Sequence, residues 1–457
     1  MKKNSWLKYT DKNITELNKI CDNYKEFLSN NKTERECVDT IINLVESKGF
    51  KNLDNLINSN TKIKCGEKIY VNNKNKALAL FVIGKDIIND GINILGAHID
   101  SPRIDIRSNP IYEEEGFTYF DTHYYGGIKK YQWVTLPLAL HGVIIKKDLE
   151  KINIKIGEDK DDPVFSITDL LPHLAKNQMD KEARKVIEGE KLDILIGSKP
   201  MDEEKESIKK NILNILNKKY DIIEEDFLSA ELEVVPAGKA RDLGLDKSMI
   251  IGYGQDDRVC AYTSLTAFLD CPNTDKTISC ILVDKEEIGS VGATGMHSKF
   301  YENAISEICL LLGFDSSVSV GRVLNNSRML SSDVNAAYDP LYSDVMDKNN
   351  SSYFGRGIAF CKFTGSGGKT GSNDANAEYI AKLRKILDEN NTSYQFSELG
   401  KVDVGGGGTI AYILANQNVE VIDSGIAVLN MHAPWEITSK ADIYEAYKGY
   451  KTFLTKC

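Results

Sequence analysis

Six short stretches of the chain carry residue types able to do chemistry. In order they are Gly-Ala-His98-Ile-Asp100-Ser-Pro, Gly-Gln-Asp256-Asp257-Arg, Asp284-Lys-Glu286-Glu287-Ile-Gly, Ser-Ser-Asp333, the glycine run Gly405 to Gly408, and Asn-Met-His432-Ala-Pro. Each alone has an ordinary reading. A histidine after an apolar run is commonly structural, an Asp pair can cap a helix, a Glu pair can mark a solvated face, and glycines can form a plain loop. Glu286-Glu287 differs from Glu113-Glu114-Glu115 or Glu224-Glu225 because the apolar run Ile281 to Val283 leads directly into it. Together the stretches offer borderline and hard ligands, a spare carboxylate and flexible backbone, which are the parts of metal-assisted amide hydrolysis.

Five of these side chains can ligate: His98, Asp256, Glu287, Asp333 and His432. If one carboxylate bridges two divalent ions, each ion has three protein ligands and an open position, the arrangement of catalytic zinc. Three carboxylates give −3 against +4, which leaves room for one more anion such as hydroxide. Glu286, beside a ligand but free of that duty, is the expected general base. Asp100, two residues from His98, is expected to accept the other ring N–H and fix the tautomer. His297, in Gly-Met-His-Ser, is left out of the metal shell.

Elements must place these residues. At 457 residues the chain is long for one core, so two domains are expected. Thr33-Glu-Arg-Glu36 reads as a capping box, opening a helix that should stop at Gly49. Strand-like runs follow at Lys68 to Val71, Ala77 to Ile83 and Ile92 to Ala97; the last is almost wholly apolar and delivers His98 to a strand end. From about Arg107 to Val235 the texture changes to short β-like pieces (Phe117 to Phe120, Val134 to Leu138, Gly142 to Lys146, Ile152 to Ile156) and a charged helical stretch from Met201 to Asp226. This predicts an inserted domain over 107–235 between two parts of a catalytic domain, 1–106 and 236–457. Beyond it, Met249 to Tyr253, Thr277 to Val283 and Ser306 to Leu312 read as buried strands among helical patterns.

A net charge of −10 with no basic block argues against nucleic acid as a partner. No run is long and apolar enough to span a membrane, and Met1-Lys-Lys-Asn-Ser-Trp6-Leu-Lys has no apolar signal stretch, so a cytoplasmic location is expected. Nine cysteines, scattered from Cys21 to Cys457 without a Cys-x-x-Cys pair, read as reduced core thiols.

The joint pattern resembles the aspartyl aminopeptidase family of dinuclear zinc metallo-aminopeptidases over nearly the whole chain. The matching stretches are Gly96 to Arg103, Tyr125-Gly-Gly127 with Trp133, Phe165 to Leu174 with His173, Gln255-Asp-Asp, Asp284 to Ser290, Ser331-Ser-Asp333, Gly408-Thr-Ile410 and Val421 to Glu436. The resemblance implies an α/β, zinc-peptidase-like catalytic domain, with a central mixed sheet flanked by helices, and an inserted β-rich dimerisation domain. It implies two divalent ions, zinc first with manganese or cobalt able to share such a site. By the same resemblance His98 and Asp333 hold one ion, Glu287 and His432 the other, Asp256 bridges and Glu286 is the base. His173 matches a histidine that reaches a neighbouring subunit's site in relatives, and the homo-oligomer implied is a dodecamer built from dimers.

The implied activity is removal of N-terminal residues from peptide substrates. The alternative kept beside it is a dinuclear hydrolase of another amide, a carboxypeptidase or deacylase. Three departures bear on specificity. Val134-Thr-Leu-Pro-Leu138 stands where the family usually continues Phe-Asp-Arg-x-Leu, Ala336 and Asp339 stand where it commonly has histidines, and Cys361 or Lys362 occupies the place of a basic residue that reads an acidic side chain. A strict preference for Asp or Glu is therefore not expected.

Overall fold

The computed structural model describes residues 3–271 and 275–457, so the first two residues of the N-terminal stretch lie outside it. The described chain divides into two compact units. One comprises 1–100, 240–431 and 436–457, and the other 101–239 with 432–435.

The first unit is organised by a nine-stranded mixed sheet. Its strand order is Lys51–Asn52, Lys68–Asn73, Ala77–Val82, Thr277–Val283, Ile92–His98, Arg328–Ser332, Glu420–Gly425, Ile358–Cys361, Tyr394–Phe396. The four strands from Thr277–Val283 to Glu420–Gly425 run parallel. Two of them are covered on both faces: every residue of Thr277–Val283 and Ile92–His98 is buried. One apolar cluster gathers Leu80, Leu95, Cys280, Leu282 and Ile422 with helices Asp11–Asn30, Gln255–Leu269 and Lys440–Lys456. The opposite one gathers Phe81, Ile94, Ile281 and Met329 with helix Phe300–Leu312. Alternate residues of each strand thus feed opposite layers. A smaller sheet of five strands includes Met249–Gly252 paired antiparallel with Glu436–Ser439.

The second unit is built on a six-stranded sheet in the order Lys151–Ile156, Leu138–Ile145, Ala230–Pro236, Arg103–Glu114, Phe117–Tyr125, Ile194–Gly197, every pair antiparallel. Helix Ser207–Tyr220 occupies the charged stretch.

The mixed α/β architecture agrees with expectation, and so do several local signals. The helix Glu34–Ser47 carries the Thr33–Glu36 capping box in both directions, and Gly49 follows it at φ 83°. All nine cysteines are free thiols and seven are buried, whereas Cys65 is exposed and Cys271 half-buried, so these two are not core thiols. Two further local readings need correction. Ser306 to Leu312 is the last half of helix Phe300–Leu312, not a strand, because Tyr301, Ala304, Ile305, Ile308 and Cys309 bury one helical face. Val134 to Pro137 is a turn, and the strand begins only at Leu138, after Thr135 adopts φ 63°. Among the described residues no helix is long and apolar enough to cross a membrane.

Candidate metal centre

Three parallel strands bring the acidic stretches together. His98 ends its strand opposite Val283, and the Ile99 N–H donates to the Val283 carbonyl at 2.8 Å, so the two chains leave the sheet side by side. Glu286 and Glu287 follow in a single 3₁₀ turn, Glu286–Ile288, entered through Lys285 at φ 69°. Asp333 follows strand Arg328–Ser332, its N–H bonded to the Ser424 carbonyl at 3.1 Å. A Cβ on Gly425 would collide with the Asp333 carbonyl, so only glycine lets the neighbouring strand pass there. Such carboxyl ends are where open α/β sheets collect their ligands.

Asp256 arrives from another direction. Helical hydrogen bonding runs over Gln255–Leu269, but Asp256 (φ −81°, ψ 104°) and Asp257 (φ −116°, ψ 26°) are not helical, and the peptide between them is cis. Gly254 precedes the segment in left-handed conformation and makes no side-chain bond. The Asp pair turns inward. Nε2 of His98 lies 3.3 Å from Asp256 Oδ1, 3.8 Å from Asp333 Oδ1 and 3.9 Å from Glu286 Oε2. Two groups among the described residues could hold an ion, His98–Glu286–Asp333 and His98–Asp256–Glu287, the donor atoms in each lying within 4.8 Å of one another.

The electrostatics fit a cation. Burial alone would lower the His98 pKa, but Asp100, Asp256 and Asp333 outweigh it and hold the imidazole well above its ordinary value. The same carboxylates would draw a cation to this place. Burial pushes Glu286 up to about 8, with His98 opposing and Asp333, Asp100 and Asp256 adding to the push. Buried like charges this close need a counter-ion between them. One imidazole among carboxylates is also a donor set suited to zinc.

Asp100 does more than the sequence indicates. It is fully buried, its backbone carbonyl lies 3.0 Å from His98 Nδ1 and its Oδ1 3.3 Å from the same nitrogen. Oδ1 also accepts the Glu286 N–H at 3.1 Å, and Oδ2 the Glu287 N–H at 3.2 Å. One carboxylate therefore orients the ring of His98 and fixes the turn that carries Glu286 and Glu287. Asp257 accepts the His98 N–H through Oδ2 at 3.3 Å, a role with no sequence signal because 159 residues separate the partners. Asp284 accepts from Thr294 Oγ1 at 2.5 Å and pairs with Lys285 at 3.2 Å.

His432 and His173 belong to the second unit. His432 has φ 64°, and its Nδ1 lies 2.9 Å from the Gly127 carbonyl, which leaves Nε2 as the nitrogen it can offer a metal. A Cβ on Gly127 would stand 3.3 Å from that Nδ1, so the glycine keeps the approach open. His173 is exposed in the short 3₁₀ turn Pro172–Leu174, flanked by exposed Leu170, Leu171 and Leu174. His297 is exposed and bonded to the Tyr412 hydroxyl at 2.7 Å, outside both candidate groups.

The specificity positions have different surroundings. Cys361 is buried, its sulfur 2.9 Å from the Asn335 amide nitrogen. Lys362 is half-exposed, with Nζ 3.6 Å from Asp374 Oδ1. Asp339 caps the short turn Pro340–Tyr342, its Oδ1 accepting the Leu341 N–H at 2.9 Å.

Known proteins resemble this chain over nearly its whole length. Residues 27–454 match the family model described as aminopeptidase I zinc metalloprotease (M18). A curated relative from Clostridium acetobutylicum, a probable M18 family aminopeptidase 1, is 58% identical over 454 residues, covering 99% of this chain and 98% of its own. The crystal structure of an M18 family aminopeptidase from Thermotoga maritima superposes with TM-score 0.96 at 45% identity, over 100% of both chains. The S. cerevisiae mApe1 dodecamer shares the fold at TM-score 0.76 and 22% identity, over 95% of this chain and 96% of that one.

Proposed function

This chain belongs to the M18 family of aminopeptidase I zinc metalloproteases and is a zinc aminopeptidase, and from that premise we propose that His98, Asp256, Glu286, Glu287, Asp333 and His432 form a two-metal catalytic centre. The observation that carries the proposal is the convergence of Asp256, Glu286 and Asp333 on Nε2 of the buried His98. His98 and Asp333 would hold one ion, Glu287 and His432 the other, and Asp256 would bridge them. The rival reading, a carboxypeptidase or deacylase, finds no support among the relatives.

Zinc held there supplies a Lewis acid for the scissile carbonyl and a more acidic water. The protein's own residues do the rest. Glu286 takes the water's proton and returns it to the leaving amine. Asp100 fixes the His98 ring and both N–H groups of the glutamate turn, so the base keeps its distance from the ligands.

The further readings of the fold follow the same family. The inserted segment 107–235 would dimerise between the two parts of the catalytic domain, 1–106 and 236–457. The exposed apolar residues Leu170, Leu171, Leu174 and Met179 support burial of this face in an oligomer, a dodecamer built from dimers, with His173 reaching a neighbouring subunit's site. A cytoplasmic location accords with nine free thiols. Lys362 turned to Asp374 leaves no reason to favour acidic substrates, so neutral or basic N-terminal residues should be cleaved at least as well as Asp or Glu.

The test is a screen of aminoacyl reporters with chelated enzyme and metal added back. Activity should return at two zinc equivalents per chain, and full activity at one would overturn the two-ion reading. Values of kcat/KM favouring Asp or Glu more than tenfold over Leu and Lys would overturn the specificity reading.

A further inference from the structure

Asp256 is held in place by its backbone as well as by its ligating side chain. Its N–H donates to Glu436 Oε2 at 3.0 Å, across 180 residues of sequence. Glu436 is only 1% exposed and opens strand Glu436–Ser439, opposite Gly252 in the antiparallel pairing. Its own carbonyl accepts the Gln255 side-chain amide at 2.6 Å. That amide also donates to the Ile250 carbonyl at 3.2 Å, while the Gln255 oxygen accepts from Thr438 Oγ1 at 2.5 Å and from the Tyr24 hydroxyl at 3.3 Å. Gln255 is thereby locked to two adjacent strands of the small sheet, and Glu436 reaches past it to the next residue.

Asp256 lies in the first turn of Gln255–Leu269, where a backbone N–H has no acceptor within the helix, and its φ/ψ and those of Asp257 depart from helical geometry. A side-chain acceptor takes that place, and it fixes where the Asp256 Cα and side chain begin. We propose that Glu436 is a positioning residue of the metal centre. Its buried carboxylate sets the backbone from which Asp256 reaches both ions, so it governs metal affinity without touching metal or substrate. This inference rests on the reading of Asp256 as the shared ligand. Groups that orient metal ligands from behind typically account for 10–100-fold in metal affinity or activity.

The experiment is a chelator competition on the zinc-loaded full-length enzyme, with metal content, kcat and KM measured for wild type, Glu436→Gln, Glu436→Asp and Glu436→Ala. Glutamine keeps an acceptor at the same reach, whereas aspartate keeps the charge and is one methylene too short. Wild type should hold zinc best and the Gln variant next. The Asp and Ala variants should release it at 10–100-fold lower chelator, with kcat falling and KM little changed. If the Ala variant does not fold, the order of Gln and Asp still decides. An Asp variant that holds zinc as well as the Gln variant, or variants that all match wild type, would overturn the proposal. Asp256→Ala runs alongside: if it retains both ions, the reading of Asp256 has failed, whereas if it loses them while the Glu436 variants do not, Glu436 alone has.

Discussion

Asp100 gives the sharpest test of how the centre is assembled. Its two carboxylate oxygens accept two backbone N–H groups, from Glu286 and Glu287, and one of them also lies 3.3 Å from the His98 ring. Asn has the same shape but a single acceptor oxygen, so Asp100→Asn must surrender one charge-assisted bond and turn an NH₂ toward a donor. A hydrogen bond to a charged group is worth about 1.5–3 kcal/mol, so the loss corresponds to about 10–100-fold. Because the lost bond holds the turn of Glu286 and Glu287, the deficit should be divided between kcat and zinc affinity. Asp100→Ala removes both bonds, about 3–6 kcal/mol by the same measure, a large part of the 5–15 kcal/mol that stabilises a typical domain, and its melting temperature should fall as well. Chelator competition reads the affinity, an aminoacyl reporter reads kcat and calorimetry reads the fold. If Asp100→Asn keeps both kcat and zinc affinity within threefold of wild type, Asp100 does not organise the centre.

Three further outcomes follow from the same contacts. Glu286→Gln keeps size and hydrogen-bonding capacity but cannot accept the water's proton, so turnover should fall by about 10²–10⁴ with zinc retained; a change below tenfold at full metal content removes Glu286 as the base. Asp256→Ala should lose both ions together, whereas His98→Ala or His432→Ala should chiefly weaken one, and two fully occupied sites in anomalous scattering of the Asp256→Ala protein would move the bridge to another carboxylate. Burial pushes the fully buried Asp442 up to about 7, against the pull of the Gly357 and Gly355 N–H groups. Its folded pKa lies above the unfolded value, so its stabilisation is complete below about pH 4 and is lost as pH rises toward 7, up to about 4 kcal/mol. Urea midpoints at pH 4.5 and 7 should therefore differ less in Asp442→Asn than in wild type, and equal differences would refute this.

The chemistry was most legible in the sequence where a polar residue ends an apolar run. His98 after Ile92 to Ala97 and Glu286-Glu287 after Ile281 to Val283 stand out because buried parallel strands must be apolar until they leave the sheet. Where the apolar window was short, the same reasoning misread Ser306 to Leu312. Seven residues can satisfy strand or helix, and only the turn from Phe300 onward distinguishes them. Asp256-Asp257 was visible as an acidic pair before a helix, but not as a break in helical geometry, because Glu436, which accepts from the Asp256 N–H and the Gln255 amide, lies far along the chain. The grip of Asp100 on the glutamate turn was equally hidden, since its partners lie 186 and 187 residues away. Periodicity reports which face is buried; it carries no information on which distant amide a buried carboxylate will meet.

These hidden contacts answer a physical problem that the visible motifs create. Asp100, Asp256, Asp257, Asp284, Glu286, Glu287 and Asp333 are all delivered to one end of the sheet, and leaving so many carboxylates charged and buried would cost the fold several kcal/mol each without compensation. The structure divides them by partner. Asp100 accepts two amide N–H groups, Asp257 accepts the His98 amide, and Asp284 accepts from Thr294 while pairing with Lys285. These three have donors of the protein, although burial still pushes Asp257 and Asp284 above the usual carboxylate range. Asp256, Glu286 and Asp333 instead converge on one imidazole nitrogen, and Glu287 shares a candidate ion group with His98 and Asp256. The amides fix the backbone around the outer carboxylates, and on the proposed reading the inner ones would be met by metal. On that reading, residues that hold this backbone without touching an ion, Asp100 and Glu436 among them, would govern metal affinity.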